Sequence, residues 1–240
     1  MGTVTGGCKG VTDFVLIHGA YQGGWIWKFV AARLRASGHN VLTPTLEGCA
    51  ERAHQLRAGI STETHGEEIA KLLYYHDLQN AVLVGTSSGG MVMACAAEQA
   101  RDRVGRLVFA DALALLDGES ILDVVKRPTT GVETPLARGP TREDAVTRLF
   151  ADLDPGLRAW ACDRVTLHPA LVYSRPVKLE RFWDQTWDAD VLYCSRAPNP
   201  GEAHIRRAAD KLKARWHVLD TGHYPMLSAP DPLAAIILGP

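Results

Sequence analysis

Ser87 lies at the centre of Gly85-Thr86-Ser87-Ser88-Gly89, which fits the pattern G-x-S-x-G. A serine hydroxyl is a weak nucleophile until a base takes its proton, so such a serine needs a turn to present it and a histidine within reach. The stretch follows the apolar run "AVLV" and precedes "MVMACAAEQA", the context of a strand turning sharply into a helix. That turn forces the serine backbone into a strained conformation, and side chains at positions 85 or 89 would collide with the neighbouring strand and helix. Ser88 contributes its backbone N–H at the start of the helix.

Of nine histidines, His223 fits the base. It lies in "DTGHYPMLSAPD", just after the last strand, at the sheet edge where ligands bind in folds of this type. The chain order, serine before histidine, agrees. His39 falls in a polar turn, His65 and His76 around a helix, and His217 inside a strand; no histidine shows a metal-binding spacing. Attack on an ester also needs donors for the oxygen that becomes negative. "LIHGAYQGGWIW" supplies them: after Ile17, His18-Gly19 opens a glycine-rich loop, and the N–H of Ala20 pairs with that of Ser88. The pattern G-x-G-x-x-G is absent there, which argues against a dinucleotide turn.

Positioning these groups takes an alternation of strands and helices. Strands are expected near Phe14–Ile17, Val41–Pro44, Ala81–Gly85, Arg106–Ala110, Val191–Cys194 and Trp216–Leu219. Amphipathic helices are expected at Trp25–Ser37, Thr62–His76, Ser88–Arg101, Glu202–Lys213 and Pro232–Leu238. Continuous apolar strands such as "FVLI" and "LVFA" belong to a parallel sheet covered on both faces. Residues 116–182 break the rhythm with the loop "RPTTGVETPLARGPT" and helical pieces such as Arg142–Asp152. An excursion leaving from the end of a strand has the place of a cap over a site. The core is therefore expected in residues 1–115 and 183–240, with residues 116–182 as the cap.

The 240 residues are 46% hydrophobic and 22% charged with a net charge of −1, which makes nucleic acid and anionic membranes poor partners. Five scattered cysteines and the absence of a signal-peptide pattern or long apolar run place the chain in the cytoplasm, with reduced, mostly buried thiols. No metal or other cofactor is expected. The partner is a small-molecule substrate; the oligomeric state stays open, a homodimer being one option.

The stretches "VLIHGAYQGGWIWKFVAARLRASGHNVLTPTLEGCAERAHQL", "VGTSSGGMV", "DLDPGLRAWACDRVTLHPAL" and "DTGHYPMLSAPDPLA" resemble the α/β-hydrolase superfamily. Within it they resemble the branch of bacterial esterases, plant methylesterases and hydroxynitrile lyases. The resemblance implies an α/β-hydrolase fold with six parallel strands in the order 2-1-3-4-5-6. It also implies Ser87 as nucleophile, His223 as base, and Ala20 with Ser88 as oxyanion-hole donors. Most members carry an acid after the fifth of these strands, yet no carboxylate occurs between Val191 and Gly201. Asp111, at the end of the fourth strand in "RLVFADAL", is the first candidate replacement and Glu202 the second; a Ser87–His223 dyad is the third option.

The leading function is cleavage of a carboxylic ester, thioester or lactone through an acyl-Ser87 intermediate. Aromatic residues in the loops and cap, with Tyr21, Trp160 and Trp183 foremost, suggest a medium-sized apolar or aromatic substrate. Trp183 and Trp187, at i,i+4 spacing, also read as a packing pair. The alternatives are a lyase or cyclase using His223 as proton shuttle, and a binding protein whose catalysis has lapsed.

Overall fold

A computed structural model describes residues 10–125 and 131–239. The strands are β1 (Asp13–Ile17), β2 (Asn40–Leu42), β3 (Ala81–Ser87), β4 (Val104–Ala112), β5 (Val132–Glu133), β6 (Ala137–Gly139), β7 (His168–Pro169), β8 (Ala189–Cys194) and β9 (Arg215–Leu219). The main sheet runs β2-β1-β3-β4-β8-β9, all pairs parallel. This is the expected order 2-1-3-4-5-6 when only the main-sheet strands are counted.

Each central strand feeds two cores, because successive side chains point to opposite faces. On β1, Val15 and Ile17 join Leu83, Met91, Leu107 and Phe109 on one face. Phe14 and Leu16 join Val82, Val84, Val108 and Leu192 on the other. The helices that cover the sheet are α1 (Lys28–Ala36), α2 (Thr62–Tyr75), α3 (Gly89–Gln99), α4 (Pro155–Cys162), α5 (Glu202–Leu212) and α6 (Pro230–Leu238), with α4 belonging to the excursion. Helix α3 buries Met91 through Ala97 without a break, so it is wedged between the sheet and α2. That fixes the strand-to-helix turn carrying Ser87 at the centre of the molecule.

The excursion between β4 and β8 is more ordered than its composition suggests. Where the proline- and glycine-rich stretch reads as loop, β5 and β6 form, and with β7 from further along the chain they make a small antiparallel sheet, with Val132 opposite Gly139 and Ala137 opposite Pro169. Residues 127–130 of that stretch lie outside the described residues. Helix α4 starts where the Asp154 carboxylate accepts from the N–H groups of Gly156 and Leu157, with Pro155 in the first turn. Among the described residues, no helix is long and apolar enough to cross a membrane.

Candidate active site

Ser87 has φ +51°, the left-handed region that a residue with a Cβ occupies at a cost. It closes β3, and α3 begins two residues later. The flanking glycines are needed by contact: a Cβ on Gly85 would stand 2.7 Å from the Gly89 carbonyl oxygen, and one on Gly89 would stand 2.6 Å from that of His18. Strand, turn and helix are thus packed backbone to backbone, and the serine is the residue the turn exposes.

Asp111 is strained as well, with φ +49°. Thr86 pairs with Ala110, but Ser87 pairs with Ala112, so the register skips Asp111. A bulge of this kind re-aims the extra side chain. Asp111 is almost fully buried. Its Oδ1 accepts from the N–H of Cys194 at 3.1 Å, and His223 Nδ1–H donates to its Oδ2 at 2.6 Å. The end of β8, where an acid of its own is absent, is therefore reached by a carboxylate from β4. Of the two candidate carboxylates, Asp111 meets the histidine. Glu202 instead pairs with Arg206 at 3.2 Å on the surface of α5.

The loop after β1 lies against the serine: a Cβ on Gly19 would stand 2.6 Å from Ser87 Cβ. The loop is set by His18, whose Nδ1–H donates to the Gly19 carbonyl at 2.8 Å while its Nε2 accepts from the Leu46 N–H at 3.0 Å. Only a neutral ring can play both parts. Burial agrees, lowering the His18 pKa to about 4. The Gly19 N–H donates to Gln22 Oε1.

Ala20, Ser87, Ser88 and His223 all line one cavity of about 410 Å³, within the usual size of small-molecule sites. Its walls are largely apolar, including Leu113, Ile121, Leu149 and Tyr173. Among the described residues no hydrogen bond joins Ser87 Oγ to His223; such contacts often tighten only when substrate is bound. Nor does any group of three or more His, Cys, Asp or Glu among them suit a metal ion.

Of the three aromatic residues expected at the substrate, Tyr21 lines the cavity, whereas Trp160 and Trp183 do not. Trp160 sits edge-on to Trp25 at 5.4 Å and against Phe29. Trp183 donates its indole N–H to the Leu115 carbonyl. Nor do Trp183 and Trp187 form a helical pair; each packs on Phe182, because the helical turn there spans only Phe182–Asp184. Tyr173, stacked on Tyr21 at 6.0 Å, takes the place in the cavity that these tryptophans were expected to fill. Arg138 and Asp152 also border the cavity; both lie in a segment whose sequence shows no periodicity that would aim them there.

A parallel sheet that presents a strained serine at one strand end, an aspartate at the end of the next strand and a histidine after the last is the architecture of an α/β hydrolase. The chain belongs to the alpha/beta hydrolase family, whose profile matches residues 14–236. It is 37% identical over 117 residues to the carbendazim hydrolyzing esterase of Nocardioides sp. (strain SG-4G), a match covering 49% of this chain and 48% of that one. The chain thus aligns with about half the length of that relative. Methylesterase 3 of Arabidopsis thaliana is 35% identical over 254 residues, with 93% of this chain and 94% of the relative covered. In structure, an extracellular α/β-hydrolase from a Paenibacillus species superposes with a TM-score of 0.80 at 21% identity, covering 95% and 97% of the two chains. A pyrethroid hydrolase from Sphingobium faniae JZ-2 does so with a TM-score of 0.75 at 20% identity, covering 95% and 96%.

Proposed function

We propose that this chain is a serine esterase whose machinery is Ser87, His223 and Asp111, with the Ala20 and Ser88 N–H groups as oxyanion hole. The carrying observation is the 2.6 Å contact between His223 and buried Asp111 on the cavity that also holds Ser87. In the reaction, His223 Nε2 takes the proton of Ser87 as Oγ attacks the ester carbonyl. The oxygen that becomes negative is held by the two N–H groups. Collapse of the tetrahedral species breaks the ester C–O bond, and His223 returns the proton to the departing alcohol. Water, deprotonated by the same histidine, then releases the acid and restores Ser87. Asp111 holds the imidazole with Nδ1–H toward itself and Nε2 free, and offsets the charge on the imidazolium. The esterase and methylesterase names of the relatives support this choice among hydrolytic reactions.

Residues 116–182 are assigned as the cap, since Ile121, Leu149 and Tyr173 from this excursion wall the cavity over Ser87. The apolar walls and the Tyr21–Tyr173 stack fit an ester with a medium-sized apolar or aromatic group. Among the described residues, four free, buried cysteines fit a cytoplasmic location. Intact-mass analysis during turnover of a p-nitrophenyl ester tests the mechanism. An acyl adduct on Ser87, absent from Ser87→Ala, is expected; turnover by Ser87→Ala would overturn it.

A further inference from the structure

The cap touches the loop that carries His223 on both sides of the histidine. Before it, the Gly222 N–H donates to Asp152 Oδ2 at 3.1 Å. After it, the Tyr224 ring packs on Phe150 at 4.7 Å; Phe150 is wholly buried and Tyr224 nearly so. Both contacts come from one three-residue stretch, Phe150–Asp152, between the π-helical turn Ala145–Leu149 and α4. A Cβ on Gly222 would make the exposed Asp152 carboxylate shift.

Other contacts also hold the loop. From the core, the Arg196 N–H donates to the Thr221 carbonyl at 3.0 Å and the Arg196 guanidinium to the Asp220 carbonyl at 2.6 Å, Asp111 takes the His223 ring itself, and the Tyr224 carbonyl accepts from the N–H groups of Leu227 and Ser228. Asp220 points away, accepting from Ser195 Oγ and pairing with Arg196. Asp152 also borders the cavity. Its charge and that of Asp111 both act on the buried Cys194 thiol, which burial first and these carboxylates next push upward.

We infer that Asp152 is a positioning residue: through its bond to the Gly222 N–H, the cap holds the backbone of His223 at the geometry proton transfer requires. The inference rests on the serine-esterase reading. It gives the cap a part in the chemistry as well as in choosing substrate. A misplacement on the order of 1 Å at a reacting group costs about a hundredfold in rate, so loosening the anchor next to the histidine should register in turnover.

The test is steady-state kinetics of Asp152→Ala and Asp152→Asn on one p-nitrophenyl ester, with thermal melting to confirm folding. Asp152→Ala should lower kcat about tenfold with KM within twofold. Asp152→Asn, whose amide oxygen can still accept from Gly222, should recover kcat to within threefold of the parent. A purely structural contact would shift melting and leave kcat unmoved. The inference is overturned if kcat of Asp152→Ala stays within twofold, if the loss lies in KM alone, or if Asp152→Asn is as impaired as Asp152→Ala. Retained activity in Ser87→Ala would instead overturn the serine reading itself, so the two failures are distinct.

Discussion

Two histidine–aspartate pairs of almost equal length sit on the same sheet. His223 Nδ1 meets Asp111 at 2.6 Å and His217 Nε2 meets Asp190 at 2.7 Å. Distance does not separate them; surroundings do. Asp190, near the start of β8, also takes Arg106 at 2.8 Å and Arg215 at 2.7 Å, so two permanent cations already balance it. Arg106 in turn donates to the carbonyls of Ile236 and Ile237 near the end of α6, which ties the pair into the architecture. Asp111, at the other end of its strand, receives one backbone N–H and the imidazole. An imidazolium at His223 therefore meets a carboxylate that no arginine has claimed. A catalytic pair needs that unclaimed charge, and a structural pair does not.

Breaking the comparison begins with the nucleophile, where the largest effect is expected. Ser87→Ala should lose at least about ten-thousandfold in kcat/KM, while Ser88→Ala, which keeps its N–H, should stay within about threefold. Steady-state assays of both variants check this. Next come the histidines. His223→Ala should lose about a thousandfold or more, and His217→Ala should stay within about threefold in kcat/KM with a lower melting temperature. Equal losses in the two would erase the distinction drawn here.

Stability separates the carboxylates in the opposite sense. Asp190→Asn strands the mostly buried Arg106 guanidinium, and breaking a buried pair costs about 3 kcal/mol; urea unfolding reads the loss, with activity per folded molecule retained. Burial opposes the charge of Asp190, but Arg215, His217 and Arg106 outweigh it and hold its pKa below the usual carboxylate range. Its contribution is thus present above the ordinary aspartate pKa and lost as pH falls through the lowered one. His18 acts at higher pH. With its pKa lowered from 6.5 to about 4, the unfolded chain binds the proton first, so stability falls as pH drops from 6.5 toward 4. For this fully buried ring the loss reaches about 3 kcal/mol, measurable as a falling urea midpoint over that interval.

The smallest expected effect sharpens the cavity assignment. Tyr173→Ala should change the ratio of kcat/KM for aryl over alkyl esters about fivefold to tenfold, the scale of one apolar contact. Trp160→Phe, outside the cavity, should leave that ratio within twofold.

The comparison also shows what a sequence can reveal. The strands and the proposed site positions Ser87, His223 and Ala20 were legible because each depends on local chemistry: apolar runs, glycines at a turn, and a loop after a strand; the strand order came only from the resemblance to α/β hydrolases. Asp111 was legible only as a carboxylate at the right strand end. Its selection over Glu202 comes from a one-residue skip in the β3–β4 register, and a register skip leaves no mark in composition. The cap was least legible. Its strands are two or three residues long, too short for period-two patterning, and no pattern told Trp160, on α4, or Trp183, just past the cap, from cavity residues. Asp152 and Phe150 reach the His223 loop across some 70 positions of chain, through tertiary contacts alone.

Asp111 carries the central claim, and kcat/KM of Asp111→Asn tests it most directly. The amide keeps the size of the side chain but removes the charge that supports the imidazolium. A loss of about a thousandfold to ten-thousandfold is predicted, on the scale known for the equivalent change in a serine-protease triad, with the melting temperature close to that of the parent. A loss of no more than about threefold, roughly 0.65 kcal/mol of transition-state stabilisation, would contradict the account and leave Ser87 and His223 working as a dyad.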